Sequence, residues 1–553
     1  MGRSTEAPHR RVFRQLETLQ PSDLPDLSGP GGGQEPPPQV ALVRPPLFQV
    51  PGSLSCTGAS PPIGLACIAG ALQEAGVFLQ ILDAAAEGLN RSHLISSPIG
   101  PLFLIGLNVQ EIVERLDPGI RIVGISHMYL HEWPILRTLV ELLKATRPQI
   151  QIVLGGENAT SFWPWIFRQS QAVDYCVIGE GEYTAVALVQ ALLERRDPEV
   201  IPGVVSARTG PGPAVERCNN PEALPGPAWD LFPLEKYLSA PDGFGVNRGR
   251  AMPILTSRGC PYDCSFCSAP RMWSRLYRTR PPHQVVQEMK SYIQRYGAQN
   301  FNFCDLTTIL HRDWALEFCH HLRAEGLNVT WQLPSGTRSE ALDEEVLRAI
   351  HAAGCRNLTY APESGSTRML RIFRKQVNLE RMLESIRTAS RVGLVVRVNV
   401  IIGHPDEERS DLWASLRLLL RCAWAGGRDA AVMVFTPYPG SRDFDRIVQE
   451  QGLEVDDLYC YTALARGGRL HATFNPTMGR RFLLMAQKAM LAAFYIVALI
   501  RNPRRIFEVF FNLLTGREET QLDQFLRTRG GPTSPPRPHP GNPRAGPPGS
   551  RPR

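Results

Sequence analysis

The sequence predicts an α/β chain: an N-terminal doubly wound, Rossmann-like sheet unit, a partial (β/α)6 barrel after it, and a mostly helical C-terminal region. Three observations predict it. Apolar and amphipathic runs alternate from Val40 to about Leu193, with short connections. They alternate again from Pro253 to about Thr436. Three cysteines then crowd one loop just after the first strand of this second series.

In the first series the expected strands are Val40–Val43, Leu79–Leu82, Ile120–Ile125, Ile150–Leu154 and Tyr175–Ile178. Helices are expected over Gly64–Glu74, Val109–Arg115, Ile135–Ala145 and Thr184–Leu193. In the third of these Ile135, Leu136, Leu139, Val140, Leu142 and Leu143 share one face, and Pro134 stands at a tolerated first-turn position. A parallel sheet of this kind binds ligands at the carboxyl ends of its strands. Those ends carry Arg44-Pro45-Pro46, Asp83-Ala84, Gly124-Ile125-Ser126-His127, Gly155-Gly156-Glu157-Asn158 and Gly179-Glu180-Gly181-Glu182. Each loop alone reads as turn chemistry; five along one sheet edge point to a ligand.

The second series gives strands at Ile254–Ser257, Asn300–Cys304, Val329–Gln332, Asn357–Tyr360, Val395–Ile402 and Ala431–Phe435. Amphipathic helices between them include Val285–Tyr296, Glu344–Ala353 and Arg381–Val392. Six βα units make a partial barrel whose chemistry belongs at the C-terminal mouth.

The chain accordingly divides into a disordered arm (1–38), the doubly wound domain (39–193), a Pro- and Gly-rich linker (194–250), the barrel (251–441), a mostly helical domain (442–528) and a disordered Pro/Gly/Arg-rich tail (529–553). The stretch Phe482–Ile500 is almost wholly apolar but broken by Gln487 and Lys488. It reads as a packed helix and leaves contact with a membrane surface open.

Of 553 residues, 43% are hydrophobic and 20% charged, the balance of an ordinary globular protein. The net charge of +7 comes partly from Arg-rich ends, and no basic stripe interleaved with aromatics marks a nucleic-acid partner. The twelve cysteines show no disulfide framework, and Met1–Glu6 opens without a signal-peptide apolar run, so a reducing, cytoplasmic setting is expected.

The cysteines that carry chemistry are Cys260, Cys264 and Cys267 in Gly259-Cys260-Pro261-Tyr262-Asp263-Cys264-Ser265-Phe266-Cys267. Three thiolates at C-x3-C-x2-C can hold three corners of a [4Fe–4S] cluster and leave the fourth iron open. A structural zinc site would want a fourth ligand, and no second C-x2-C pair exists. Core cysteines are the other alternative, but a loop shaped by Gly259 and Pro261 is a poor place for core packing. The spacing, with Phe266 before the last cysteine, resembles the signature of the radical S-adenosylmethionine (SAM) enzymes.

The N-terminal loops, with Pro62-Ile63-Gly64-Leu65 opening the first helix, resemble the cobalamin-binding domain found ahead of the barrel in one large subfamily. The resemblance covers about residues 40 to 440. It implies a [4Fe–4S] cluster, SAM and cobalamin as cofactors, and an external one-electron reductant of flavodoxin or ferredoxin type. The cobalamin contacts it implies are Ser126, Gly155, Gly156, Gly179, Glu180 and Gly181. The cobalt-ligating run Asp-x-His-x-x-Gly is absent, so a base-off cobalamin with no protein histidine on cobalt is expected; His127 and His131 have the wrong neighbours.

For SAM the resemblance implies Phe266, then Asp305 in place of the family's Gly-Gly-Glu run, Arg338 for the carboxylate, Glu363 and Ser364 for ribose hydroxyls, and Ile402 beside adenine. The ordinary alternative is a structural ion pair for Asp305 and Arg338, and barrel core for Ile402. The activity implied is methyl transfer to a carbon of a natural-product or lipid-type substrate, small molecule or peptide, through methylcobalamin and a 5′-deoxyadenosyl radical. A cobalamin-containing cyclase or rearranging enzyme is the alternative, and a cobalamin or cluster sensor without turnover is a second.

Overall fold

The structure is a computed structural model that describes residues 37–50, 59–211, 217–240, 245–464, 472–520, 522–524 and 526. The arm expected over 1–38, all but its last two residues, and the tail expected over 529–553 lie outside the described residues.

The first sheet has seven strands. From one edge they are Leu79–Asp83, Val40–Arg44, Ile122–Ser126, Gln151–Gly155, Tyr175–Val177, Val204–Ser206 and Gly210–Pro211. The first five are parallel, Val204–Ser206 runs antiparallel to them, and Gly210–Pro211 runs antiparallel to Val204–Ser206. Chain order therefore reverses between Val40–Arg44 and Ile122–Ser126, and such a switch point opens a crevice at the strand ends. The sheet runs past residue 193 into what reads in sequence as linker. Two elements are not evident from periodicity. One is a small antiparallel sheet of Leu47–Gln49, Leu102–Ile105 and Ser92–Ile95. The other is the helix Glu157–Gln169, disguised by Pro164 and by aromatic residues on several faces.

The second sheet takes its six strands in chain order, all parallel: Ala251–Ile254, Asn300–Phe303, Thr330–Thr337, Cys355–Glu363, Val395–Ile402 and Asp429–Val434. The first strand ends at Ile254, short of the expected Ser257, for a local reason. The backbone N–H groups of Thr256 and Ser257 donate to the Asp305 carboxylate instead of to a neighbouring strand. Ser257–Arg258 then pairs with Arg278–Thr279 as a hairpin that frames the cysteine loop. Phe303 stacks on Trp331 in the wall behind it, ring centres 4.9 Å apart.

Linker residues pack tightly. Trp229 is buried, and its indole N–H donates to the Tyr292 hydroxyl (2.9 Å). The helix Arg480–Arg501 lies along the barrel on Leu483, Gln487, Met490, Phe494 and Ala498, a helical spacing. Gln487 donates to the Val432 carbonyl (2.7 Å), so the polar break in the apolar run is an anchor. By length and composition this helix could cross a membrane; one of its faces is instead occupied by the barrel.

Phe494 is fully buried and Met485 is 70% exposed on the same helix. Phe494→Ala is expected to lower stability by ~3–5 kcal/mol, and Met485→Ala by under ~0.5 kcal/mol, in denaturant titrations followed by circular dichroism. Equal effects would mean the helix does not pack on the barrel through the Phe494 face.

Candidate active site

The cysteine loop is held at three points. Ser265, between Cys264 and Cys267, donates its backbone N–H to the Phe373 carbonyl (3.0 Å) and its hydroxyl to Asp443 (2.9 Å). Asp443 returns a backbone N–H to the Ser265 carbonyl (3.0 Å) and lies 3.3 Å from His404 Nε2. Phe266 packs edge-on against Phe373. Gly259 opens the loop at φ +83°, and a Cβ there would stand 1.9 Å from the Leu276 carbonyl oxygen. No other residue type fits that approach.

Cys260, Cys264 and Cys267 are partly exposed free thiols, close enough to bear on one another's ionisation. Among the described residues no three His, Cys, Asp or Glu side chains gather around a point as they would for one metal ion. A cubane sets each thiolate on a different iron, so the three cysteines of one short loop can each hold one corner.

Buried charge surrounds the loop. Asp305 is 1% exposed, and its Oδ1 accepts from both Thr256 and Ser257, backbone and hydroxyl. Its Oδ2 is buried with no partner among the described residues. Burial holds the carboxyl above its ordinary pKa, and the four donors only partly offset this. The Arg338 guanidinium stacks 3.5 Å above the ring of Tyr262, inside the cysteine loop, and its Nε makes no hydrogen bond but lies 3.9 Å from a Glu340 carboxylate oxygen. Glu363, at φ +69°, pairs with Lys375 (3.2 Å). Burial raises Glu363; burial lowers Lys375, but the charges of Glu363 and Cys264 and the Glu363 hydrogen bond together hold it above its ordinary value. Lys375 also bears on Cys264. A carboxylate oxygen and a guanidinium N–H, both buried and neither in a hydrogen bond, suit an amino-acid ligand bound to a cluster beside a three-thiol loop.

Other expected contacts sit elsewhere. Ser364 is fully buried, its hydroxyl on Ser415 (3.1 Å) and on the Ser366 N–H (3.1 Å). Ile402 is fully buried in the core, and its carbonyl accepts from Phe435 N–H. Gly181 faces Ile68 of the first helix.

The ligand edge of the first sheet meets the cysteine loop directly. Glu157 accepts from the hydroxyl of Ser268 (3.0 Å), the residue after Cys267. Thr160 donates to Met272 sulfur (3.2 Å) and accepts from Gly179 N–H (3.0 Å). Trp165 packs edge-on against Phe444 (5.2 Å). Two buried ion pairs lie beside these: Glu180–Arg278 and Glu182–Arg258, each 2.5 Å, every partner under 10% exposed. Glu180 also accepts from Cys218 N–H, so its carboxylate joins the domains and is not free for a ligand. Ser126 and Gly155 pair side by side at the edge. Gly156 follows at φ +120°, where a Cβ would stand 2.8 Å from the His127 carbonyl oxygen. Tyr129 lies near enough to Glu157 and Cys304 for their charges to bear on it, so the edge of the first sheet approaches the second barrel strand.

His127 is fully buried beside Trp133, and its Nε2 accepts from Asn158 (2.8 Å). Burial lowers its pKa from 6.5 to about 3. Such a ring is packed as neutral imidazole. At the far side of the edge, Arg44, Tyr237 and Asp83 close on one another, with Tyr237 donating to Asp83 (2.7 Å).

Sequence reasoning missed Tyr262, Lys375, His404, Asp443 and Ser268. Tyr262 and Ser268 had a signal, since they flank the cysteines. The others come together only through the fold.

Comparison with known proteins agrees with this geometry. Residues 254–419 match the model of the radical SAM superfamily, and residues 54–189 that of the B12 binding domain. An uncharacterized methyltransferase of Pyrococcus horikoshii is 26% identical over 86% of this chain and 95% of its own length. Cytidylyl-2-hydroxyethylphosphonate methyltransferase of Streptomyces wedmorensis is 29% identical over 62% and 69%. Anaerobic magnesium-protoporphyrin IX monomethyl ester cyclase of Rubrivivax gelatinosus is 26% identical over 73% and 69%. The solved structure of the radical SAM methyltransferase TsrM from Kitasatospora setae, with cobalamin and a [4Fe–4S] cluster bound, superposes with a TM-score of 0.58 at 17% identity, over 83% of this chain and 89% of that one. The chain belongs to the cobalamin-binding radical SAM enzymes. Its cofactors are therefore a [4Fe–4S] cluster, SAM and cobalamin.

Two outcomes test the site. Gly259→Ala is expected to abolish cluster assembly, read as iron and sulfide content after anaerobic reconstitution, while cobalamin binding persists. Full iron content in that variant would refute the loop geometry. For His127, the folded pKa lies below the unfolded one, so the unfolded chain takes up a proton that the native state refuses. Stability from this residue is present above pH 6.5 and is lost as pH falls toward about 3. His127→Gln is expected to flatten the fall in melting temperature across that window; an unchanged profile would show that His127 does not titrate this way.

Proposed function

We propose that this protein transfers a methyl group to a carbon centre of a natural-product or lipid-type substrate, in the cytoplasm, with electrons from a flavodoxin- or ferredoxin-type donor. The observation that carries the reading is the contact of Glu157 with Ser268. It sets the ligand edge of the cobalamin domain against the cysteine loop, so a substrate carbon in the cleft is within reach of both. When bound, the cofactors supply a methyl carrier and a hydrogen-abstracting radical, and the hard chemistry is theirs.

The chain's own residues bind and orient. Arg338 and Asp305 Oδ2 offer opposite charges to the carboxylate and amino group of an amino acid. Lys375 and Glu363 keep charge balanced beside Cys264. The buried pairs Glu180–Arg278 and Glu182–Arg258 keep water out of the seam between domains.

A cyclase reading is favoured by one observation, the similarity to the Rubrivivax gelatinosus enzyme. Product mass separates the two, because methylation adds a CH2 unit and cyclisation does not.

For methyl transfer, each turnover is expected to yield one S-adenosylhomocysteine, one 5′-deoxyadenosine and one methionine. Arg338→Ala is expected to weaken the cluster-side SAM by ~1.5–3 kcal/mol and depress deoxyadenosine formation with cobalamin binding intact. Methylated product without deoxyadenosine would remove the radical step from the proposal.

A further inference from the structure

The helix Arg504–Thr515 is built inside out. Its buried residues are Arg505 and Asn512. Arg505 donates to the Arg428 carbonyl, and Asn512 donates to Asp523 (3.2 Å). Its apolar residues face outward: Phe507 is 76% exposed, Phe510 62%, Phe511 53% and Leu514 72%. Their spacing of three, four and seven residues puts them on one helix face. Ile496 and Ile500 continue the apolar surface on the preceding helix, one turn apart and each more than half exposed. Folding in water selects against such a face unless something apolar covers it.

Charge identifies the cover. Arg501, Arg504 and Arg517 are exposed around the apolar face, and Arg501 stands 6.0 Å from the ring centre of Trp424, itself 59% exposed. Glu508, the acidic side chain within the helix, pairs with Arg428. The chain after residue 526 carries several arginines and no Asp or Glu. Aromatic and aliphatic side chains ringed by arginine and tryptophan match the interface of a bilayer with anionic headgroups. The geometry excludes a span, because Leu483, Met490 and Phe494 of the preceding helix are buried on the barrel. We infer that the two C-terminal helices seat this protein on the surface of an anionic lipid bilayer, lying in its plane. The inference is independent of the proposed methyl transfer.

The test is flotation of the full chain, reconstituted with cluster and cobalamin, with vesicles of phosphatidylcholine alone or mixed with phosphatidylglycerol. The protein is expected to float with the mixed vesicles and far less with the neutral ones. Replacing Phe507, Phe510, Phe511 and Leu514 together by Ser is expected to cut the floated fraction ~10-fold or more, since binding scales with buried apolar area. Bound cobalamin, read by absorbance, verifies that this variant is folded. A second variant, Arg501→Glu with Arg504→Glu and Arg517→Glu, is expected to lose the preference for phosphatidylglycerol. Light scattering reports the oligomeric state in parallel. Three results overturn the inference: a wild-type chain that stays unbound with both vesicles, variants that float as it does, or a wild-type dimer that the Ser variant dissolves, which would assign the face to a second copy.

Discussion

Two carboxylates and two guanidiniums at the domain seam hold the working geometry. Glu180 and Glu182 come from a loop of the cobalamin domain, and Arg278 and Arg258 from the hairpin that frames the cysteine loop. Such charges are expensive to bury, several kcal/mol per ion, and paired burial adds little net stability. Their return is orientation. A bidentate or paired guanidinium tolerates little rotation, so two pairs on one hairpin fix the angle between sheets. The cleft, the cysteine loop and the Glu157–Ser268 contact depend on that angle.

The alternation of strands and helices was legible because both sheets are parallel and buried on two faces, which writes near-continuous apolar runs into the chain. The cysteine loop was legible because its ligands are local. The helix Glu157–Gln169 was not, since it is amphipathic toward two partners at once: the first sheet, and the barrel through Trp165 and Thr160. Its mixed faces erase the period that a single partner would impose. The end of the first barrel strand was misjudged for a related reason. Thr256 and Ser257 have strand-like neighbours, but a side chain some fifty positions away captures their N–H groups.

The site was legible in part. Asp305 and Arg338 stand beside the loop, each with a buried atom in no hydrogen bond. Ser364 and Ile402 lie in the right segments but turn inward, because a one-residue step along a strand reverses the side chain and no sequence signal reports which way a bulged strand end points. Glu180 shows the opposite failure. A Gly-Glu-Gly-Glu loop looks made for a ligand, yet its carboxylates serve the seam between domains.

The lopsided solvation of Asp305 has one more consequence. One oxygen holds four donors, and the other is buried and accepts from no donor among the described residues. That atom can accept positive charge, and a proton is the smallest group that could supply it. Any cationic group admitted there competes with hydronium, so its affinity weakens in acid. A cation that binds there only when the barrel is folded also makes the occupied barrel the more stable one. Ligand capture and barrel stability are thus one equilibrium, read at a single oxygen.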